Sequence, residues 1–276
     1  IAPICEISQE DRLALYNGLN PLKKLTTLTM ELKPVLGNMT DYDLEILGSK
    51  LQNLTQLEYL DLYFDMHYDI SDKGFQVLFS GISHLSNLHT FKICVEKKTL
   101  VTDETVKALR DCLGSLKLLK VLGIRIFKCR LTSECCKELW QGIRNLEKLQ
   151  SLTLRLTNNQ LEDIALVYLK NLLLDQKQLT ELNLAVPIFR TETGIQALVD
   201  GISFLKNVKV LQLKIDSISL GGLSRKGADQ IKDEIKKLPN LRKLVWEIPS
   251  TLGVSYEAEL YDVVKTLEFV SWEEIN

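Results

Sequence analysis

The hydrophobic positions along the chain recur in a fixed order. Apolar residues stand at positions 1, 4, 7, 9 and 11 of segments such as LTQLEYLDLYF, LSNLHTFKICV and LKLLKVLGIRI. The residues at position 7 follow one another at intervals of 29 to 33 residues, which defines eight units of about 30 residues. They are Leu28, Leu60, Phe91, Leu122, Leu152, Leu182, Leu211 and Leu244. Self-similarity at such a period is the signature of a repeat protein.

Each unit combines two periodicities. The alternation at positions 7, 9 and 11 predicts a strand, because successive side chains of a strand point to opposite faces. Upstream of it, apolar residues spaced i, i+3 and i+7 predict one buried face of a helix. The middle column of that face is Leu15, Leu47, Leu78, Leu109, Leu139, Leu169, Leu198 and Ile231. The sequence therefore predicts eight helix–strand units.

The starts of the helices carry their own signal. A Ser or Thr precedes the helix in every unit but one, and its hydroxyl can accept a hydrogen bond from a free N–H of the first turn. The predicted N-cap residues are Ser8, Thr40, Ser71, Thr102, Thr132, Glu162, Thr191 and Ser224. An acid often comes next, where the helix dipole favours negative charge. These acids are Asp41, Asp72, Asp103, Asp163 and Glu192.

A helix–strand unit of this size cannot bury its own apolar face, so the units must stack into a solenoid. The repeated strings resemble leucine-rich repeats, and the long helical half of each unit resembles the ribonuclease-inhibitor-like subclass. Glycines that recur only in alternate units support that subclass: Gly18, Gly81, Gly142 and Gly201. The resemblance implies an α/β fold, a curved horseshoe with a parallel sheet on its concave face and helices on its convex face.

We expect one leucine-rich-repeat domain over residues 1–276, with the repeats over about 8–249 and an irregular C-terminal cap over 250–276. One family feature is missing. The family has an Asn or Cys after each strand, whose side chain binds the backbone of the neighbouring repeat. The corresponding residues are Lys33, Asp65, Glu96, Phe127, Thr157, Pro187, Asp216 and Pro249. The turns that leave the sheet must therefore be held in another way.

Composition narrows the class of protein. The chain is 45% hydrophobic and 25% charged, with a net charge of −2, as is ordinary for a globular protein. No apolar run approaches the roughly 20 residues of a membrane-spanning helix, and no signal peptide opens the chain. We therefore expect an intracellular protein, cytoplasmic or in another intracellular compartment, although the chain begins at Ile1 rather than Met.

Motifs for catalysis or metal binding are weak. The six Cys form no C-x-x-C pair and the three His lie in other units, so we expect no metal site and no cofactor. Residues 222–227 have the spacing of a phosphate loop, but Ala228 and Asp229 stand where Lys and Ser or Thr are required. We expect no enzymatic activity.

The strand residues between the apolar columns face outward and are the candidate binding residues. Tyr59, Asp61, Tyr63 and Asp65 are expected to form an aromatic and acidic patch. Beside it, a basic band of Lys92, Arg125 and Arg155 is expected next to an exposed Phe127. Aromatic residues and Arg are enriched in interface hot spots. The alternative is that Tyr and Thr stand here only for their strand propensity.

The sequence favours a non-enzymatic protein–protein interaction module, or a scaffold subunit of a larger assembly, that binds protein partners through the concave sheet face. The alternative implied by the resemblance is a regulator of an enzyme, of inhibitor or GTPase-activating type. Nucleic-acid binding would use Lys92, Arg125, Arg155 and Lys214. It is disfavoured by the nearby acids Asp61, Asp65 and Glu96.

Overall fold

Helices and strands alternate in the described chain from residue 9 to residue 247. The structure is a computed structural model that describes residues 8–32, 39–65, 70–96, 101–186, 191–215 and 223–247, and a short strand at 268–269. The helices are α1 Gln9–Asn17, α2 Asp41–Leu51, α3 Asp72–Ile82, α4 Asp103–Leu113, α5 Glu134–Ile143, α6 Ile164–Asp175, α7 Glu192–Ser203 and α8 Arg225–Ile235. The strands are β1 Thr27–Leu32, β2 Tyr59–Asp65, β3 Thr90–Glu96, β4 Val121–Phe127, β5 Ser151–Arg155, β6 Glu181–Val186, β7 Val210–Ile215, β8 Lys243–Glu247 and β9 Glu268–Phe269.

The strands form one parallel sheet in chain order, from β1 to β9. Equivalent repeat positions pair across it, so that Leu60 stands opposite Phe91 and Phe91 opposite Leu122. This confirms the repeat register predicted from sequence. The ninth strand was not predicted, because Glu268–Phe269 falls in the segment expected to be an irregular cap, yet it pairs in parallel with β8.

The core lies between the sheet and the layer of helices. Seven of the eight residues in the predicted helical column are buried, but Leu15 is 52% exposed. In α1 the buried residues are Arg12 and Tyr16 instead. The helix is rotated because Arg12 reaches the buried Asp43 of α2, with Nε 2.8 Å from Oδ1. The prediction for Leu15 is therefore wrong.

Most of the predicted N-cap residues hold that position. Ser71 and Thr191, for example, accept hydrogen bonds from the first turns of α3 and α7. In two units the helix begins one residue later than predicted, after Ser133 rather than Thr132 and after Asp163 rather than Glu162. The hydroxyl of Thr132 still accepts a hydrogen bond from the N–H of Glu134 at 3.3 Å.

Four acids near the helix starts connect successive repeats. Each carboxylate accepts hydrogen bonds from both the backbone N–H and the hydroxyl of the Ser or Thr that opens the next unit. The N–H distances are 2.7 Å from Ser71, 2.8 Å from Thr102, 2.9 Å from Thr132 and 2.8 Å from Thr191. We call this set the aspartate ladder: Asp41, Asp72, Asp103 and Asp163. It gives these acids a role between units in addition to the expected effect on the helix dipole.

One turn leaving the sheet is held by an asparagine that sequence reasoning did not single out. Asn159 Nδ2 donates to the carbonyl oxygens of Ile126 at 2.8 Å and Leu156 at 2.9 Å, and its Oδ1 accepts from the N–H of Cys129 at 3.0 Å. It stands two residues beyond Thr157, where the family pattern would place it. Four of the positions that correspond to the family's Asn or Cys lie outside the described residues: Lys33, Pro187, Asp216 and Pro249.

Two of the recurring glycines allow close helix packing. A Cβ on Gly81 would lie 2.2 Å from the carbonyl oxygen of Gly48, and one on Gly142 would lie 3.0 Å from Cα of Arg110. Each glycine therefore lets its helix approach the backbone of the helix in the preceding unit. Neighbouring helices still need about 8–10 Å of spacing against about 4.8 Å for strands. The sheet accordingly occupies the inner side of the stack.

Candidate partner-binding surface

The sheet face opposite the helices, which we call the open sheet face, carries outward residues in rows across the strands. Because the register is regular, each row runs through one position of every repeat. The central rows are Asp61, Lys92, Gly123, Thr153, Asn183 and Gln212, and then Tyr63, Cys94, Arg125, Arg155, Ala185, Lys214 and Glu247. All eight residues of the predicted site belong to strands or strand ends on this sheet.

The aromatic and acidic patch is ordered by hydrogen bonds. The Tyr59 hydroxyl donates to Asp61 at 3.2 Å, and the Tyr63 hydroxyl donates to Glu96 at 2.8 Å. Lys92 places its Nζ 5.5 Å from the centre of the Tyr59 ring and 3.5 Å from its hydroxyl oxygen. These side chains are therefore held in place before any partner arrives. Asp65 ends β2, but its side chain lies outside the described residues.

The two arginines stand directly opposite each other on β4 and β5. Arg125 is exposed, whereas Arg155 is half-buried and donates from Nε to Asn183 Oδ1 at 3.1 Å. Burial lowers the pKa of Arg155, and the neighbouring charge of Arg125 lowers it further, while Glu247 opposes the shift. Lys92 lies one row away, so the basic residues form a pair with an offset third member rather than a straight band.

Two side chains next to the arginines are less accessible than expected. Phe127 is half-buried, not exposed, at the end of β4. Cys94, which stands between Tyr63 and Arg125 in its row, is only 7% exposed. Burial, and then the charge of Glu96, raises the pKa of the Cys94 thiol to about 12. The thiol is therefore protonated at neutral pH and is not a nucleophile.

A depression of about 290 Å³ lies in the middle of the open sheet face. Its floor is at Gly123, the one outward position of β4 without a side chain, and a Cβ added there would lie 3.1 Å from Cγ of Lys92. The polar side chains around it are Asp61, Lys92, Arg125, Ser151, Thr153 and Glu181. Sequence reasoning placed Gly123 on the outward face but not in the site. The available signal was a glycine inside a strand, which often marks a place of close approach.

The described residues contain no group of three or more His, Cys, Asp or Glu side chains that could hold a metal ion. Within those ranges, none of the helices is long and apolar enough to cross a bilayer. Cys135 and Cys136 are both completely buried in α5, with their sulfur atoms 3.9 Å apart.

Comparison with known proteins adds information on the fold. No protein-family model matches the sequence, and no curated protein matches it. A chain in the crystal structure of the yeast Rad7 and Elc1 complex superposes with a TM-score of 0.50 at 18% identity, covering 92% of this chain and 65% of that one. This chain therefore spans less than two thirds of that chain's length. The tropomodulin C-terminal domain of Caenorhabditis elegans gives a TM-score of 0.31 at 10% identity, covering 82% of this chain and 92% of that one.

Such low identities bear on the fold and not on activity or partners. The fold itself follows from the alternating helices and strands, the parallel sheet in chain order and the Rad7–Elc1 likeness. The chain folds as a leucine-rich-repeat-like α/β solenoid.

Proposed function

We propose that this chain is a non-enzymatic protein-binding module, a single leucine-rich-repeat domain over residues 1–276 that holds a partner on its open sheet face. The observation that carries the proposal is a set of ordered aromatic and charged side chains on strands β2 to β5, on a face that none of the described helices covers. The proposed contact residues are Tyr59, Asp61, Tyr63, Asp65, Lys92, Arg125, Phe127 and Arg155.

The physical basis is preorganisation. Strands fixed in a sheet lose little conformational entropy when a partner binds, so more of the contact energy appears as affinity. The hydroxyls of Tyr59 and Tyr63 are already held by acids, which leaves their rings in defined positions. Tyr and Arg are the residue types that most often dominate binding energy. A mixed-charge face then selects the orientation of the partner.

Three finer features belong to the same proposal. The close helix contacts at Gly81 and Gly142 support the ribonuclease-inhibitor-like subclass. The likeness to a chain of the Rad7 and Elc1 complex supports a place in a multi-subunit assembly. We assign the protein to an intracellular compartment, in keeping with its five described cysteines, which are buried thiols and form no disulfide with one another.

Charge reversal on the open sheet face tests the proposal. The protein, purified with whatever binds it in native cell extract, is cross-linked and the linked peptides are mapped by mass spectrometry. We expect Arg125→Glu with Arg155→Glu to abolish capture of the main cross-linked partner. The matched control is Lys117→Glu with Lys148→Glu, two exposed lysines in the helix–strand turns of the same two units. Equal capture by both double variants, with cross-links on the helices, would contradict the proposal.

A further inference from the structure

The turns that lead from helix to strand are strongly basic in the second part of the solenoid. From unit 4 to unit 8 these turns are residues 114–120, 144–150, 176–180, 204–209 and 236–242, all of which the structure describes. They contain ten Lys or Arg residues, every one exposed, and a single acid, Glu147. We call these ten residues the basic edge: Lys117, Lys120, Arg144, Lys148, Lys177, Lys206, Lys209, Lys236, Lys237 and Arg242.

The excess of positive charge remains when the neighbouring ends of helices and strands are counted by the same rule. With the last four residues of each helix and the first residue of each strand included, the five connections hold thirteen bases and seven acids. The excess is six positive charges, in a chain whose net charge is −2, so the other residues together carry −8. The charge of the chain is therefore polarised, with this side positive.

Most bases of the basic edge have no ionic partner. Lys236 and Lys237 pair with acids of α8 at 3.5 Å and 2.8 Å, and Arg144 lies 3.9 Å from Asp175. For the other seven, no carboxylate of the described residues lies within salt-bridge distance. The charge of these seven residues can therefore act on a ligand from outside.

The fold does not require bases at these positions. The equivalent turns of units 2 and 3, residues 52–58 and 83–89, contain no Lys or Arg. They still make the hydrogen bond that joins successive turns, since the N–H of His89 donates to the carbonyl oxygen of Glu58 at 2.8 Å. The N–H of Arg242 donates to the carbonyl oxygen of Lys209 at the same distance. The basic edge is therefore a property of units 4 to 8 and not of the repeat.

Hydrogen bonds between turns hold the basic edge as a two-dimensional array. Asn207 donates from Nδ2 to the carbonyl oxygen of Lys177 at 2.8 Å, and Asn240 donates to that of Lys206 at 2.7 Å. All five turns lie on the same side of a parallel stack, so their bases face one way. From the spacing of strands and helices, the array is about 20 Å long beside the strands and about 30–40 Å long beside the helices.

A flat anionic surface matches this array. We propose that the basic edge binds the headgroup layer of a bilayer that contains anionic lipids, with the open sheet face left free. Each Lys or Arg close to such a surface adds a favourable contribution to binding. Eight of the ten bases are Lys, a flexible point charge that suits diffuse negative charge, whereas Arg suits bidentate contacts. The inference goes beyond the proposed function and does not depend on it.

Other polyanions match the array less well. A DNA duplex is a cylinder that touches a flat side along one line, and an acidic polypeptide follows one row of bases. Single-stranded nucleic acid gains much of its affinity by stacking on aromatic side chains, and the five described turns expose none. These turns expose no large apolar side chain either. We therefore expect attraction to the bilayer by charge alone, without insertion.

Vesicle sedimentation with the full chain tests the inference. One set of vesicles contains two parts phosphatidylcholine to one part phosphatidylserine, and the other contains phosphatidylcholine alone. We expect binding to the first set only, and release at high salt because exposed charges are screened. Lys206→Glu with Lys209→Glu should weaken binding by about tenfold or more, since two attractions become repulsions. The matched control is Lys73→Glu with Lys226→Glu, two exposed lysines at the starts of α3 and α8, which should change binding little.

Four outcomes would overturn the inference. An equal loss in both double variants would show that binding follows net charge and not the basic edge. Binding to phosphatidylcholine alone would show that charge is not what is recognised, and absence of binding to the mixed vesicles at low salt would remove the site. Tighter binding of a DNA duplex or of polyglutamate, lost in Lys206→Glu with Lys209→Glu, would overturn the choice of a bilayer.

The inference and the proposed function can fail separately. Lys117→Glu with Lys148→Glu changes two bases of the basic edge, so it should weaken vesicle binding and still capture the protein partner from extract freed of membranes. If the unaltered chain bound no vesicles but lost its partner with Arg125→Glu and Arg155→Glu, only the inference would be overturned. Vesicle binding without capture of any partner on the open sheet face would overturn only the proposed function.

Discussion

The aspartate ladder and the open sheet face use the same repeat in opposite ways. In the ladder, one chemical arrangement recurs in four places, a carboxylate that accepts from the N–H and the hydroxyl of the next unit. On the open sheet face, a single row changes from Tyr63 to Cys94, Arg125, Arg155 and Ala185. Positions that connect repeats keep their chemistry, and positions that face outward are free to differ.

The two regions also differ in how well their polar groups are satisfied. Asp72 accepts from both donors of Thr102 and both donors of Thr105. Arg125, by contrast, faces a second arginine. A region that stabilises the fold is expected to lose stability when it is altered. A region shaped for a partner is expected to lose binding and to keep or gain stability. Three substitutions test that contrast.

The largest loss of stability is expected at the connection between the first two repeats, because α1 has no aspartate of the ladder. Asp43 there is completely buried, accepting from Arg12 Nε at 2.8 Å and from the N–H of Thr40 at 2.9 Å. Asp43→Ala breaks a buried ion pair and removes the acceptor of the Thr40 N–H, which costs about 3–5 kcal/mol of unfolding free energy. Urea unfolding followed by circular dichroism measures it.

An exposed acid of the same helix is the control for that loss. Glu45→Ala on α2 should change the unfolding free energy little, because Glu45 is exposed. Adding Arg12→Met to Asp43→Ala removes the buried positive charge of the pair and should recover part of the stability. Equal and small effects of Asp43→Ala and Glu45→Ala would show that this connection does not stabilise the stack.

A smaller loss of stability is expected when a residue of the aspartate ladder is replaced. Asp72→Ala removes the acceptor of four donors on Thr102 and Thr105, and Thr105 is only 1% exposed. Buried donors that lose a charged acceptor cost about 2–3 kcal/mol. Asp233→Ala is the control, since Asp233 pairs only at the surface of α8, with 61% of its side chain exposed. A loss at Asp72 no larger than at Asp233 would contradict the role assigned to the ladder.

The sequence was sufficient to predict the fold because the repeat imposes the same burial on equivalent positions. The strand register was predicted correctly and is confirmed by the sheet. Leu15 shows the limit of this reasoning, since among the described helices α1 packs against α2 alone and is rotated by the Arg12–Asp43 pair. The sequence also showed that an acid often follows the N-cap Ser or Thr. That this acid connects two units was not predicted, because the connection depends on distances between one repeat and the next.

The open sheet face was predicted in part. Alternation alone placed Tyr63, Arg125 and Arg155 outward, and the structure aligns them in one row. Alternation does not give exposure at the ends of strands, so Phe127 was expected to be exposed and is half-buried. Nor does it give the depression, whose shape depends on how Lys92 lies beside Gly123. The role of these residues in binding stays a prediction.

The smallest expected effect on stability comes from filling the depression at Gly123. This change should raise stability, whereas the substitutions at Asp43 and Asp72 should lower it. Gly123→Ala adds a Cβ 3.1 Å from Cγ of Lys92, a flexible side chain that can move aside. Because glycine inside a strand is about 0.5–1 kcal/mol less favourable than alanine, the variant should be more stable by that amount and bind the partner less well. Gly114→Ala, in the same unit but at the end of α4 with φ −54°, is the matched control that should leave binding unchanged. Lower stability without a loss of binding would show that Gly123 stabilises the fold, as the aspartate ladder does, and has no role in binding on the open sheet face.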